Sequence, residues 1–299
     1  ECATLPDLSC DAMPPNEYER KLRAFCDEYE RTGIINYEAM RPYPSMLFGI
    51  ETAVAQFNTK GSLNFFGTPF GRGEEGIPIN GLVWMGTFNE MFNRMEEKLK
   101  AGYHCVKLKI GSIDFEQELQ LIQHIRASFS RNDVELRVDA NGGFTPKEAL
   151  SRIEALAQYD IHSIEQPIKQ HQWTEMARLC AETPLPIGLD EELIGVNDKQ
   201  KKIELLDSIR PQYIVLKPSL HGGMAGTKEW IQLARARHIG SWITSALESN
   251  VGLNAIAQLT AHIYGTNIHH AQGLGTGQLF ADNVRMPLKV IDDKLWITQ

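Results

Sequence analysis

Five short β-rich runs each end near one charged residue, and the intervals between those residues are almost constant. Lys109, Asp139, Glu165, Asp190 and Lys217 follow one another at 30, 26, 25 and 27 residues. An interval of that size holds one strand, one helix and their loops. A polar residue at the end of strand after strand requires those ends to converge. A parallel β/α barrel does this, because the loops that follow its strands gather at one mouth.

The surrounding pattern agrees. Strand-like runs near 78–85, 105–111, 135–140, 161–166, 187–190, 213–218, 240–245 and 269–273 alternate with helical ones. The helical runs lie near 87–101, 114–129, 145–158, 171–182, 197–208, 223–237 and 249–264. Eight strands and seven helices favour a closed barrel over an open sheet. Ahead of them, Tyr18, Leu22, Phe25, Cys26 and Tyr29 recur at helical spacing, with Asn16 as the expected N-cap and Gly33 as the stop. Pro44-Ser45 opens a second helix, and the glycines between Gly61 and Gly76 read as a linker. The opening Glu1-Cys-Ala-Thr-Leu-Pro6 reads as the interior of a longer chain.

The run Cys105-Val-Lys-Leu-Lys-Ile-Gly111 places Lys107 and Lys109 on one strand face and Val106, Leu108 and Ile110 on the other. Two ammonium groups on a buried face require anions opposite, and Asp139, Glu165 and Asp190 on the following strands supply them. Three converging carboxylates in turn require a cation. All-oxygen donors select a hard ion, with Mg²⁺ the expected one. A metal-free network of these acids with Lys107, Lys109 and Lys217 is the alternative, although such networks add little net stability. Asn141 shares the face of Asp139 and is either a supporting group or a substitute ligand; Glu191, next to Asp190, is expected to project elsewhere. A lysine is a poor base at its ordinary pKa of ~10.4. A neighbouring lysine and a divalent ion are expected to lower it. The chemistry this implies is proton abstraction beside a carboxylate, with the metal stabilising an enediolate.

A formal charge of −8 argues against non-specific nucleic-acid binding, and no apolar run approaches the roughly 18–20 residues that span a bilayer. The cysteines, Cys2, Cys10, Cys26, Cys105 and Cys180, are scattered with no C-x-x-C, and read as reduced core thiols of a cytoplasmic protein.

The set Lys107-x-Lys109, Asp139-x-Asn141, Glu165-Gln-Pro167, Asp190-Glu191 and Lys217-Pro218 resembles the enolase superfamily, in its muconate-lactonizing-enzyme-like subgroup. The likeness runs from about Pro44 to Gln278. It implies an α/β fold: a (β/α)7β, TIM-like barrel (77–280) behind an α+β capping domain and linker (1–76). That domain is expected to be incomplete at its N-terminus, with residues 281–299 packing back on it. The resemblance also implies Mg²⁺ on Asp139, Glu165 and Asp190, with Lys109 and Lys217 at the reacting centre. Within the subgroup, Leu5-Pro-Asp-Leu-Ser9, Thr244-Ser-Ala-Leu-Glu-Ser249 and Gln272-Gly-Leu-Gly-Thr276 resemble the family that dehydrates a succinyl-hydroxycyclohexadiene carboxylate in menaquinone biosynthesis. By that likeness Lys109 moves the proton, and Lys217 holds the enediolate. N–H groups around Thr244 and Gly273, with Ser245 nearby, then meet a second carboxylate. Arg137, on the face of Asp139, either orients that ligand or fills the barrel. Dipeptide-epimerising relatives carry Asp-x-Asp on the last strand; here no acid follows Gly273 until Asp282, so a free amine is not expected in the substrate.

Rival readings remain open. An N-acylamino acid racemase would use Lys109 and Lys217 as opposed bases. A Schiff-base aldolase would use Lys217 as nucleophile and leave the carboxylates unexplained. An inactive barrel serving as a scaffold is the third. Leu220-His-Gly-Gly223 is either a tight turn or a phosphate site, and Trp84 either fills the core or touches substrate.

Overall fold

Proline opens the first helix of the computed structural model, which describes residues 1–2 and 4–298. That helix, α1 (Pro15–Thr32), has Pro14 at its N-cap, so Asn16 lies inside the first turn. Proline suits this position because its fixed φ matches the helix and it has no N–H to leave unpaired. Gly33 stops the helix at φ 67°. A short helix absent from the sequence reading, α2 (Tyr37–Met40), follows and is capped by the Asn36 side chain. In α3 (Pro44–Asn58) the first nine residues are all buried. Met40, Met46, Leu47 and Ile50 form a small core of their own, covered by Tyr18, Leu22, Phe25 and Tyr43.

After a two-residue strand, β1 (Ile77–Pro78), the barrel begins. Its elements are β2 (Gly81–Val83), α4 (Phe88–Lys100), β3 (Cys105–Lys109), α5 (Phe115–Ser128), β4 (Glu135–Asp139), α6 (Pro146–Ala157) and β5 (Ser163–Glu165). They continue through α7 (Trp173–Glu182), β6 (Ile187–Leu189), α8 (Lys199–Ile209), β7 (Tyr213–Leu216), α9 (Gly223–Arg235), β8 (Gly240–Ile243) and α10 (Asn250–Tyr264). Strands β2 to β8 form one parallel sheet in sequence order. The expected eighth strand at 269–273 shrinks to two bridging residues. Gln272 pairs with Ile79 and Gly273 with Thr244. Those bridges close the ring, so two residues do the work of a strand. Residues of β3 and β4 alternate faces: Val106, Leu108, Leu136 and Val138 are fully buried beneath the helices. Each such side chain contributes roughly 1.5–3 kcal/mol.

The C-terminal segment forms a hairpin, β9 (Leu288–Ile291) and β10 (Lys294–Ile297), which pairs antiparallel with β1. All five cysteines are free, but only Cys105 and Cys180 are buried. The expectation of core thiols therefore fails for Cys10 and Cys26, which are exposed, and holds only in part for Cys2, which is half-buried.

One buried carboxylate joins α3 to the barrel. Glu51 accepts the N–H groups of Met224 and Ala225 at the first turn of α9, which answers the phosphate reading of Leu220–Gly223. That segment is a turn, with Gly222 and Gly223 at φ 95° and 71°, and its helix end is already filled. Burial pushes the Glu51 carboxyl up to about 7, against the pull of the two N–H groups and Lys228. The native state therefore keeps a proton that the unfolded chain releases near the ordinary glutamate value. Stability from this residue is complete below about pH 4.5 and lost as pH rises through 7. Denaturant midpoints measured from pH 5 to 8 are expected to fall less steeply in Glu51→Gln than in the native chain.

Candidate active site

Register brings the charged strand ends into one row. Lys109 pairs directly with Asp139, and Asp139 with Glu165. Asp190 and Lys217 follow the last residues of β6 and β7. Lys107, two residues deeper, pairs with Arg137. In an eight-membered ring β3 and β7 stand four places apart, so Lys109 and Lys217 approach the barrel mouth from opposite sides.

The side chains meet as expected. Oxygen atoms of Asp139, Glu165 and Asp190, all buried, lie within 4.8 Å of one another. The Lys107 ammonium donates to both Glu165 oxygens at 2.7 Å and lies 2.8 Å from Asp139 Oδ2. Lys109 donates to Asp139 Oδ2 and to Asn141 Oδ1, each at 2.7 Å. Lys217 donates to Asp190 Oδ2. Asn141 also gives its amide to Glu191 Oε1 at 2.8 Å, which draws Glu191 into the site, contrary to the expectation that it projects elsewhere. The cause is a 3₁₀ turn, Glu191–Leu193, that begins immediately after Asp190 and turns the next residue inward.

Without a metal ion, the acids set the charge state of Lys107 and Lys217. Burial alone would push Lys107 down, yet Asp139, Glu165 and Asp190 hold it above the ordinary lysine range. Lys217 is likewise raised, because Asp190 and Glu191 outweigh its burial. Asp139 is driven below the usual carboxylate range: Lys107 and Lys109 overcome its burial. Glu165 is raised by burial and by Asp139 beside it. A row of acids attracts these lysines more than the lysines repel each other.

Two further residues support the site. Gln166 Oε1 accepts the N–H groups of Asp190 and Glu192, and so sets the backbone that carries Asp190. His221 Nδ1 accepts the Lys217 N–H at 2.8 Å. The Glu165-Gln-Pro167 run was a signal for the first; nothing in the spacing announced the second. Arg137 bonds Glu135 and the Ala271 carbonyl and stacks over Trp242 at 4.5 Å. It fills the barrel floor and donates nothing to Asp139.

Above the charges lies a cavity of about 170 Å³, lined by Leu5, Leu8, Trp84, Lys109, Lys217 and Leu247 among others. Trp84 is 36% exposed and holds Lys109 Nζ 5.5 Å from its ring centre. Thr244, Ser245 and Gly273 line the cavity too, but their N–H groups are not free. They donate to Leu216, Gly273 and Ile243 carbonyls in the ladder that closes the barrel. The N–H groups of Thr244 and Gly273 themselves are therefore spent in the fold, and a second carboxylate would have to meet neighbouring groups. Thr276 lines the same cavity, and its buried Oγ1 has no partner. A larger groove of about 710 Å³ lies at the other end of the barrel, among Pro186, Arg210 and Gly240, away from this chemistry.

Residues 90–298, well over half of the chain, match the family described as Enolase C-terminal domain-like. The chain belongs to the enolase superfamily. A curated relative, the o-succinylbenzoate synthase of Desulfotalea psychrophila (strain LSv54 / DSM 12343), is 54% identical over 248 residues, or 83% of this chain. The chain spans 66% of that relative's length. The crystal structure of MenC from Desulfotalea psychrophila LSv54 has a TM-score of 0.84 at 43% identity, covering 99% of this chain and 89% of that one. The muconate lactonizing enzyme from Pseudomonas putida shares the fold, with a TM-score of 0.73 at 22% identity over 94% of this chain and 81% of its own.

Enzymes of this superfamily use a divalent metal, and the donors present fit one. The cluster is all oxygen, and Asp190 Oδ1 is buried with no partner, an orphaned acceptor that a cation would satisfy. No helix among the described residues is long and apolar enough to cross a membrane.

Proposed function

We propose that the chain carries the catalytic barrel of an o-succinylbenzoate synthase, a carbon–oxygen lyase acting on a small carboxylate in the cytoplasm during menaquinone biosynthesis. The observation that carries this reading is the facing pair, Lys109 and Lys217, on opposite sides of one cavity with three acids beneath. Asp139, Glu165 and Asp190 would hold Mg²⁺, which when bound supplies positive charge to an enediolate.

Lys109 Nζ, released from Asp139 and neutral, takes the proton α to the substrate carboxylate. The same ammonium then protonates the departing hydroxyl, so the C–H and C–O bonds break on one face and water leaves. Lys217 stays charged throughout and stabilises the enediolate across the cavity. Asn141 and Glu191 hold Lys109 in line. Trp84 fits the flat ring of a cyclohexadiene, and Thr276 Oγ1 offers a donor to its distant carboxylate. Lys107 also lines the cavity, but its ammonium is engaged by Glu165 and Asp139 and serves as their counter-charge.

The opposed lysines also suit racemisation of an N-acylamino acid, with each acting as a base on one face. A Schiff base on Lys217 fits less well, because Asp190 and Glu191 hold that amine charged. Assaying the diene and an N-succinylamino acid side by side, with Mg²⁺, separates the readings. Dehydration is expected to dominate; fast racemisation with no aromatic product would refute the proposal.

A further inference from the structure

Leu247 has φ 148°, a backbone region that a leucine occupies only when its surroundings hold it there. It lines the cavity next to Ser245 and Ala246. One side chain holds all three. Glu248, fully buried, accepts the N–H groups of Ala246 and Leu247 at 2.8 and 3.2 Å and the Ser245 hydroxyl on Oε2. Its other oxygen accepts the hydroxyl of Ser219, two residues after Lys217. A single carboxylate thus ties the strained wall to the strand end that presents Lys217. The proposed chemistry gives Glu248 no part, yet it is buried with four donors. The wall lies in the loop after β8, and Thr276 lines the same cavity.

We infer that Leu247, held at positive φ by Glu248, is a specificity-determining wall for the acyl chain of the substrate, with Glu248 as its positioning residue. This inference rests on the dehydratase reading and adds to it which part of the substrate is sorted. The reacting end is fixed by Lys109, Lys217 and the acids. The methylenes of a succinyl chain then lie against Leu247, with Leu5 and Leu8 as further apolar lining.

Leu247→Gly separates strain from function, because glycine relieves the backbone while removing the wall. The melting temperature is expected to hold or rise, and KM for the diene to increase roughly tenfold with kcat little changed, the sign of lost ground-state contact. Glu248→Gln, where it folds, is expected to give the same KM rise with a lower melting temperature. A melting temperature that rises with KM unmoved would overturn the inference, as would a fall in kcat alone. Should the native chain leave the diene untouched, the dehydratase reading falls, and N-acylamino acids of graded acyl length decide the wall. A KM order altered by Leu247→Gly sustains it. An unaltered order, or silence toward both substrate classes, overturns it.

Discussion

Lys109→Ala is expected to lower kcat by roughly 10²–10⁴-fold, the range general acid–base groups supply, with KM little changed. Lys109 is the amine that both lines the cavity and donates to Asp139 and Asn141. Its removal leaves Asp139 still within 2.8 Å of Lys107, so the acid is not stranded without a counter-charge. The barrel should fold, and thermal melting is the control. Lys107→Ala behaves differently, because it removes the group that bonds both Glu165 oxygens. Leaving a buried charge without its partner costs about 3–5 kcal/mol, so its larger effect is expected in melting temperature. Exchange of the α proton with solvent deuterium separates the two. Persistence of that exchange in Lys109→Ala would place the base elsewhere.

Chelation of divalent metal is expected to abolish turnover while leaving the barrel folded. Each of the three acids already pairs with a lysine ammonium, so the charges are balanced enough for the fold to survive. What is lost is the stabilisation of the enediolate. Returning Mg²⁺ should restore activity and raise the melting temperature. Binding at 100 times Kd contributes about 2.7 kcal/mol. Calorimetry in the presence and absence of Mg²⁺ reads this directly. Turnover that persists in chelator, or unfolding on chelation, would contradict the proposed site in different ways: the first removes the metal from the chemistry, and the second makes it structural.

The row of charged strand ends was legible because its logic is one-dimensional. Strand alternation fixes which side chains share a face, and a constant interval fixes how units repeat, so Lys107, Lys109, Asp139, Glu165, Asp190 and Lys217 could be read from the sequence. The longer helices were legible for the same reason, whereas the four-residue α2 is too short to show a period. The eighth strand was overdrawn, since two residues suffice when both neighbours are already in place. Glu191 was misjudged because a 3₁₀ turn breaks the alternation just beyond Asp190. How closely Lys107 and Lys217 approach the acids was not legible, because the sequence names the charges without giving their distances.

Order along the chain therefore determined the barrel and the row of lysines and acids at its mouth. Tertiary structure alone decided which N–H groups the closing ladder consumes, how Glu51 and Glu248 join separate loops, and why Leu247 is strained. Those outcomes depend on contacts between residues tens to hundreds of positions apart, such as Glu51 with Met224, and no local period encodes them.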